Sequence, residues 1–218
     1  MGVVKRYCTR GHDSRGRGRA IRLSSLLTMA VIVIALALSA CGSATPEASS
    51  LSPTGSDEGQ LMMAFLEAQR PGATAAFEAS KALMAGAKNA TSGDTKAAAA
   101  GYLEASHGYV QAAELMSALP VPEGLDAFLP MAKAQAAYGK TVGKMGRLLA
   151  EKTPGAQPTK KQLAEMQRLM AEFKVVEKRY NDAMVAYNAQ FLVVMQRNGL
   201  TPPDWMTEMG QATQALQN

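Results

Sequence analysis

Glu104-Ala-Ser-His107 sets a carboxylate and an imidazole three residues apart, a spacing that brings both to one side of a helix. Two such Glu-x-x-His segments and two further glutamates build di-iron centres inside helical bundles. The chain has only two histidines, His12 and His107. His12 falls in a basic leader, so the second copy of the motif is missing. His107 also lies off the apolar seam of its own helix and is expected to face solvent or to serve structure. Methionine is the other soft donor, with 14 residues. Met62-Met63, Met166/Met170 and Met206/Met209 are spaced so that thioethers could meet, and thioethers suit Cu(I). Unbranched thioethers equally fill gaps in helical cores, which is the reading preferred for them. There is no Cys-x-x-Cys-His run for covalent haem, no Gly-rich phosphate loop after a strand, and no Ser-His-Asp set around a single histidine. No metal, no cofactor and no catalytic residue are expected. An envelope protein that binds copper, haem or another ligand in a helical interior is the alternative.

Leu38-Ser39-Ala40-Cys41 is the other chemically pointed stretch, following a basic segment over 1–22 and an apolar run from Leu26 to Leu38. The run is short for a membrane span, which needs about 20 residues, and suits a secretion signal. The four residues resemble the lipobox of bacterial lipoproteins. That resemblance implies a diacylglycerol on the Cys41 sulfur, cleavage before Cys41, and a membrane anchor. Gly42 follows the cysteine. In a two-membrane bacterium the resemblance then implies delivery to the outer membrane, facing the periplasm. In a single-membrane host it implies the outer face of the cell membrane.

Removal of residues 1–40 changes what the composition means. The whole chain has 23 Lys+Arg against 18 Asp+Glu, a formal charge of +5. From Cys41 onward the balance is 16 basic to 17 acidic residues, close to neutral. A basic footprint for nucleic acid is therefore absent from the mature part, and no nucleic-acid partner is expected. Cys8 leaves with the leader and Cys41 would carry lipid, so packing and not a disulfide must hold the fold.

Three regions follow: a cleaved leader over 1–40, a lipidated cysteine and Ser/Thr/Pro-rich tether over 41–56, and a helical domain over 57–218. The domain is rich in Ala, Met, Leu, Glu, Lys and Gln, strong helix formers with no strand-like alternation. Ser56 can cap the first helix. Pro71 predicts a break between helices at 57–69 and 72–88, with one kinked helix as the alternative. The stripe of the second piece is Ala73, Ala76, Phe77, Ser80, Leu83, Met84 and Ala87. Asp94 opens a helix to Leu119 with a heptad-like seam of Ala98, Tyr102, Ala105, Tyr109, Ala112, Met116 and Leu119. A third helix covers about 123–151, with Gly139, Gly143 and Gly146 on one face. Each glycine costs up to about 1 kcal/mol against alanine, so close approach to another helix is expected there. After a Pro/Gly loop from Thr153 to Pro158, Thr159 and Gln162 fit a capping box. The helix they open runs to about Asn198 with a seam from Leu163 through Met166, Met170, Phe173, Val176, Tyr180, Met184, Tyr187 and Phe191 to Val194. Asn198-Gly199 stops it. A short terminal helix follows, with Trp205, Met206, Met209 and Leu216 docking on the rest. The fold class is all-α: an antiparallel bundle of about four long helices plus a short one.

Glu177-Lys-Arg-Tyr180-Asn181-Asp-Ala-Met-Val-Ala-Tyr187-Asn188 resembles the paired Tyr-Asn pattern on a long helix of LemA-family envelope proteins. Tyr180 and Tyr187 are seam residues two turns apart, with Asn181 and Asn188 beside them and able to bond across helices. A non-catalytic, lipid-anchored envelope protein is the functional expectation, acting through a protein partner or envelope structure.

Overall fold

The computed structural model describes residues 57–151 and 159–216. Its elements are α1 (Asp57–Ser92), α2 (Thr95–Ser117), α3 (Phe128–Ala150), α4 (Lys160–Arg197) and α5 (Asp204–Ala215). The leader, Leu38-Ser39-Ala40-Cys41, the tether, the Ser56 cap and the loop over 153–158 lie outside the described residues. Among the described residues no helix is long and apolar enough to cross a membrane.

Small residues draw the first three helices together. Gly93, at φ +86°, makes the turn after α1, and the Asp94 carboxylate accepts from the Ala97 amide at 2.9 Å to cap α2. The helices then run antiparallel with almost no side chain between them. A Cβ built on Gly101 would lie 2.8 Å from the Gly86 Cα, and one on Gly108 would lie 2.8 Å from the Ala79 Cβ. The three glycines of α3 meet α2 in the same way. Added Cβ atoms would reach Tyr109 from Gly139, Ser106 from Gly143 and Leu103 from Gly146, all within 3.0 Å. The glycines are therefore repaid by close approach, as their shared face requires.

Joining α3 to α4 takes larger side chains. Tyr138 stacks on Tyr180 with centroids 5.3 Å apart and meets Tyr109 edge-on at 5.1 Å. Lys144 pairs with Glu172 at 2.5 Å, and the Ala127 amide donates to Gln190 Oε1 at 2.7 Å. As numbering rises along α3 it falls along α4, so this pair is antiparallel too. The Thr159/Gln162 capping box is present, with each residue's side chain accepting from the other's backbone. Gly199 takes φ +62° at the stop.

No Cα of α1 comes within 8 Å of a Cα of α4. The bundle is splayed along that seam. Side chains bridge it: Tyr187 donates to Gln69 Oε1 at 3.0 Å, and Arg197 pairs with Glu58 at 2.5 Å. The six residues over 198–203 let the chain cross the gap, and the α5 backbone then approaches that of α1.

Several boundaries differ from the sequence reading. α1 continues through Pro71 as one helix instead of two. Pro71 is exposed, so water can serve the carbonyl it frees, while Gln69 and Gly72 on the buried side stay packed. α3 begins at Phe128, because Gly124 (φ +86°) holds the preceding residues in a turn. Leu163 is not on the seam. It is 45% exposed near the start of α4, before that helix gains neighbours.

A candidate ligand cavity between the splayed helices

The gap between α1 and α4 holds a partly open cavity of about 160 Å³. α1 contributes Gln69, Ala73, Ala76, Phe77 and Ser80, and α4 contributes Tyr180, Met184, Tyr187, Asn188, Phe191 and Leu192. Tyr109 and Met116 of α2 form one end with Met131 and Gln135 of α3, and α5 closes a side with Trp205, Met206, Met209 and Thr213. No lining residue carries a formal charge. The wall is apolar, with five methionine thioethers among aromatic rings, an adaptable surface rather than a rigid one.

Two sets of polar groups stand out in this wall. In the first, the hydroxyls are bonded. The Ser80 hydroxyl donates to the Ala76 carbonyl at 2.9 Å, which leaves the Tyr109 hydroxyl as donor to Ser80 Oγ, also at 2.9 Å. Tyr187 is satisfied by Gln69 Oε1. Burial pushes the Tyr109 and Tyr187 phenols up to about 12, against a smaller opposing effect of these bonds. Tyr180 is also raised by burial, so the phenols stay neutral at physiological pH.

The second set is unpartnered. Gln69 Nε2, Gln135 Nε2, Asn188 Nδ2 and Trp205 Nε1 are buried and bonded to nothing in the protein. Gln135 is 1% exposed and Gln69 6%. Leaving a buried donor unmade costs about 1–3 kcal/mol, so four around one space is a large, localised penalty. All four are N–H donors, and they arrive from α1, α3, α4 and α5 respectively.

The structure distributes the sequence candidates unevenly. Of the three methionine pairs, only Met206/Met209 reaches the cavity, where it joins Met116, Met131 and Met184. Met62 is fully buried in the core, with Met63 packed partly against it. Glu104 and His107 are exposed positions of α2. Among the described residues no group of three or more His, Cys, Asp or Glu side chains is placed to hold a metal ion. Of the expected stripe, Leu83 is buried, while Ala73, Ala76, Phe77 and Ser80 are only partly buried because they face the cavity; tight packing beside Leu83 belongs to Ala79, Ala82 and Gly86. Tyr180, Tyr187 and Asn188 meet at the cavity, but the expected asparagine bonds across helices are not made: Asn181 Oδ1 and Asn188 Nδ2 have no partner. Trp205, Met206 and Met209 dock as expected, and do so as cavity wall. Sequence reading passed over Gln69, Gln135 and Met131. The signal was present, since Gln69 and Gln135 are amides set in register with apolar residues.

No family model matches the chain, and no curated protein or solved structure is significantly similar to it.

Proposed function

We propose that this chain is a lipid-anchored envelope protein whose helical domain binds a small, uncharged, largely apolar molecule between α1, α4 and α5. The observation that carries the reading is an apolar cavity of about 160 Å³ whose surrounding side chains also hold buried, unpartnered polar groups. A structural bundle gains nothing from either feature. A volume of about 160 Å³ is close to the ~150 Å³ of a buried cavity that accepts benzene. Binding rather than catalysis is favoured because the lining offers no carboxylate, imidazole, thiol or amine to move a proton or attack a bond. The anchor at Cys41 rests on the lipobox resemblance and on the basic segment and apolar run that precede it.

Fluorobenzene followed by fluorine NMR tests the cavity directly. Saturable binding to the domain is expected, with loss of at least roughly tenfold in affinity when Ala76→Trp fills the space. Met131→Phe, a second filling change on a different helix, should act alike, and both variants should retain the helical circular dichroism of the parent. No saturable binding, or binding indifferent to both substitutions in folded protein, would sink the reading.

A further inference from the structure

α5 is held differently from the other helices. It has 12 residues, and its backbone approaches that of α1 alone among the described helices. Helices shorter than about 12–15 residues are marginal by themselves in water, so docking must keep this one in place. Its residues in the cavity wall are Trp205, Met206, Met209 and Thr213. The Trp205 indole nitrogen has no partner, and two of the other three side chains are thioethers. Met206 and Met209 are half-buried, so a small solute reaches them without unfolding of the bundle. Met116 and Met131, in the same wall, are only 7% and 3% exposed.

We propose that Met206 and Met209 form an oxidisable latch, in which conversion of both thioethers to sulfoxides by a peroxide frees α5 from the cavity wall. A sulfur lone pair takes one peroxide oxygen. The S–O bond forms as the O–O bond breaks, and the displaced oxygen leaves with both hydrogens as water. Sulfur is oxidised by two electrons and the peroxide is reduced by two. The product exchanges a flexible apolar side chain for a polar one. Packed into a mostly apolar wall, a sulfoxide oxygen gives up water, and that loss favours the undocked helix. Undocking takes Trp205, Met206 and Met209 out of the wall together and bares the apolar side of α1 and α4. Sulfoxide reductases restore the thioethers, so the latch can close again. It operates whether or not the cavity takes a ligand.

Trp205 is the only tryptophan of the chain and precedes Met206, so its emission reports on α5 with no ligand present. Peroxide is applied at a dose that peptide mass spectrometry shows to oxidise Met206 and Met209 and to spare the indole. The emission should then shift to the red and be quenched faster by acrylamide. Met206→Leu/Met209→Leu keeps both side chains apolar without sulfur. Methionines elsewhere still oxidise in that variant, yet its Trp205 emission should stay where it was. Met206→Gln/Met209→Gln sets permanent amides at both positions and should show the red-shifted emission with no oxidant. Should the leucine pair lose the helical circular dichroism of the parent, the single changes Met206→Leu and Met209→Leu take its place, each expected to lessen the shift. An unmoved emission in parent oxidised at both positions overturns the latch, as does an equal shift in the leucine variants. Failure of peroxide to oxidise Met206 and Met209 in the folded protein overturns it too. None of these outcomes bears on fluorobenzene binding to the reduced protein, so the latch and the binding role fail separately.

Discussion

Glu177 is 8% exposed, on the same helix as Tyr180 and Tyr187 but outside the cavity lining. Burial raises its carboxyl above the usual glutamate value of 4.5, with Lys174 opposing the shift. The folded state therefore holds this proton to higher pH than the unfolded chain does. Between 4.5 and the raised value the folded protein binds more protons, so stability falls as pH rises through that window and stays lower above it. Glu177→Gln removes the titration. The variant should melt at a higher temperature than the parent at pH 7, and the difference should vanish near pH 4 in paired thermal melts. Residues of this kind were poorly legible in the sequence. Glu177 reads there as one of many charges on a helix face, because the rotation of a long helix is settled by its neighbours. Tyr138, at the centre of the ring contacts between α2, α3 and α4, escaped for a related reason: the glycines beside it drew the predicted face of α3 to one side.

Helices, by contrast, were largely readable, and their exceptions have physical causes. The α2 seam from Ala98 to Met116 is buried throughout, since its heptad spacing has a neighbouring helix on either flank. Pro71 misled because its local cost, about 3 kcal/mol in a helix interior, is outweighed by packing on both sides of it. Glycine carries the sharpest expectation at this scale. A Cβ on Gly101 would strike only backbone, lying 2.8 Å from Gly86 and 2.9 Å from the Ala82 carbonyl. Gly101→Ala should therefore destabilise by about 1–3 kcal/mol, despite alanine's better helix propensity, as overpacking does. At Gly143 the nearest atom is the Ser106 hydroxyl oxygen at 2.5 Å, which can rotate away. Gly143→Ala should lie within about 1 kcal/mol of the parent, with urea midpoints separating the two.

For the whole molecule, the proposed lipid anchor would set where a binding domain works. Lipid on Cys41, followed by a tether, would hold the cavity close to a membrane surface, where apolar molecules concentrate. Cys41→Ser should abolish labelling with palmitate and leave the protein uncleaved or soluble. A variant that is cleaved, unlabelled and still membrane-bound would contradict the anchor. The class of fold was open to sequence reasoning, yet the splay between α1 and α4 was not. It depends on large side chains such as Tyr187 and Phe191 standing where the α1–α2 and α2–α3 pairs have glycine and alanine, and pairing of faces is a property of two helices at once.

That splay divides the molecule by stiffness. α1, α2 and α3 lie backbone against backbone, with little free volume and few side-chain rotations available. α4 is held through rings and a few polar bridges, and α5 through thioethers and an indole. Rings and thioethers can re-pack where glycine contacts cannot, so thermal breathing concentrates along the α4 and α5 side. Amide exchange would accordingly be slowest in α2 and fastest towards the start of α4, where Leu163 already stands in water. A solute bound as proposed would then find the yielding wall on the side of the outer helices, while the glycine-packed trio stays shut.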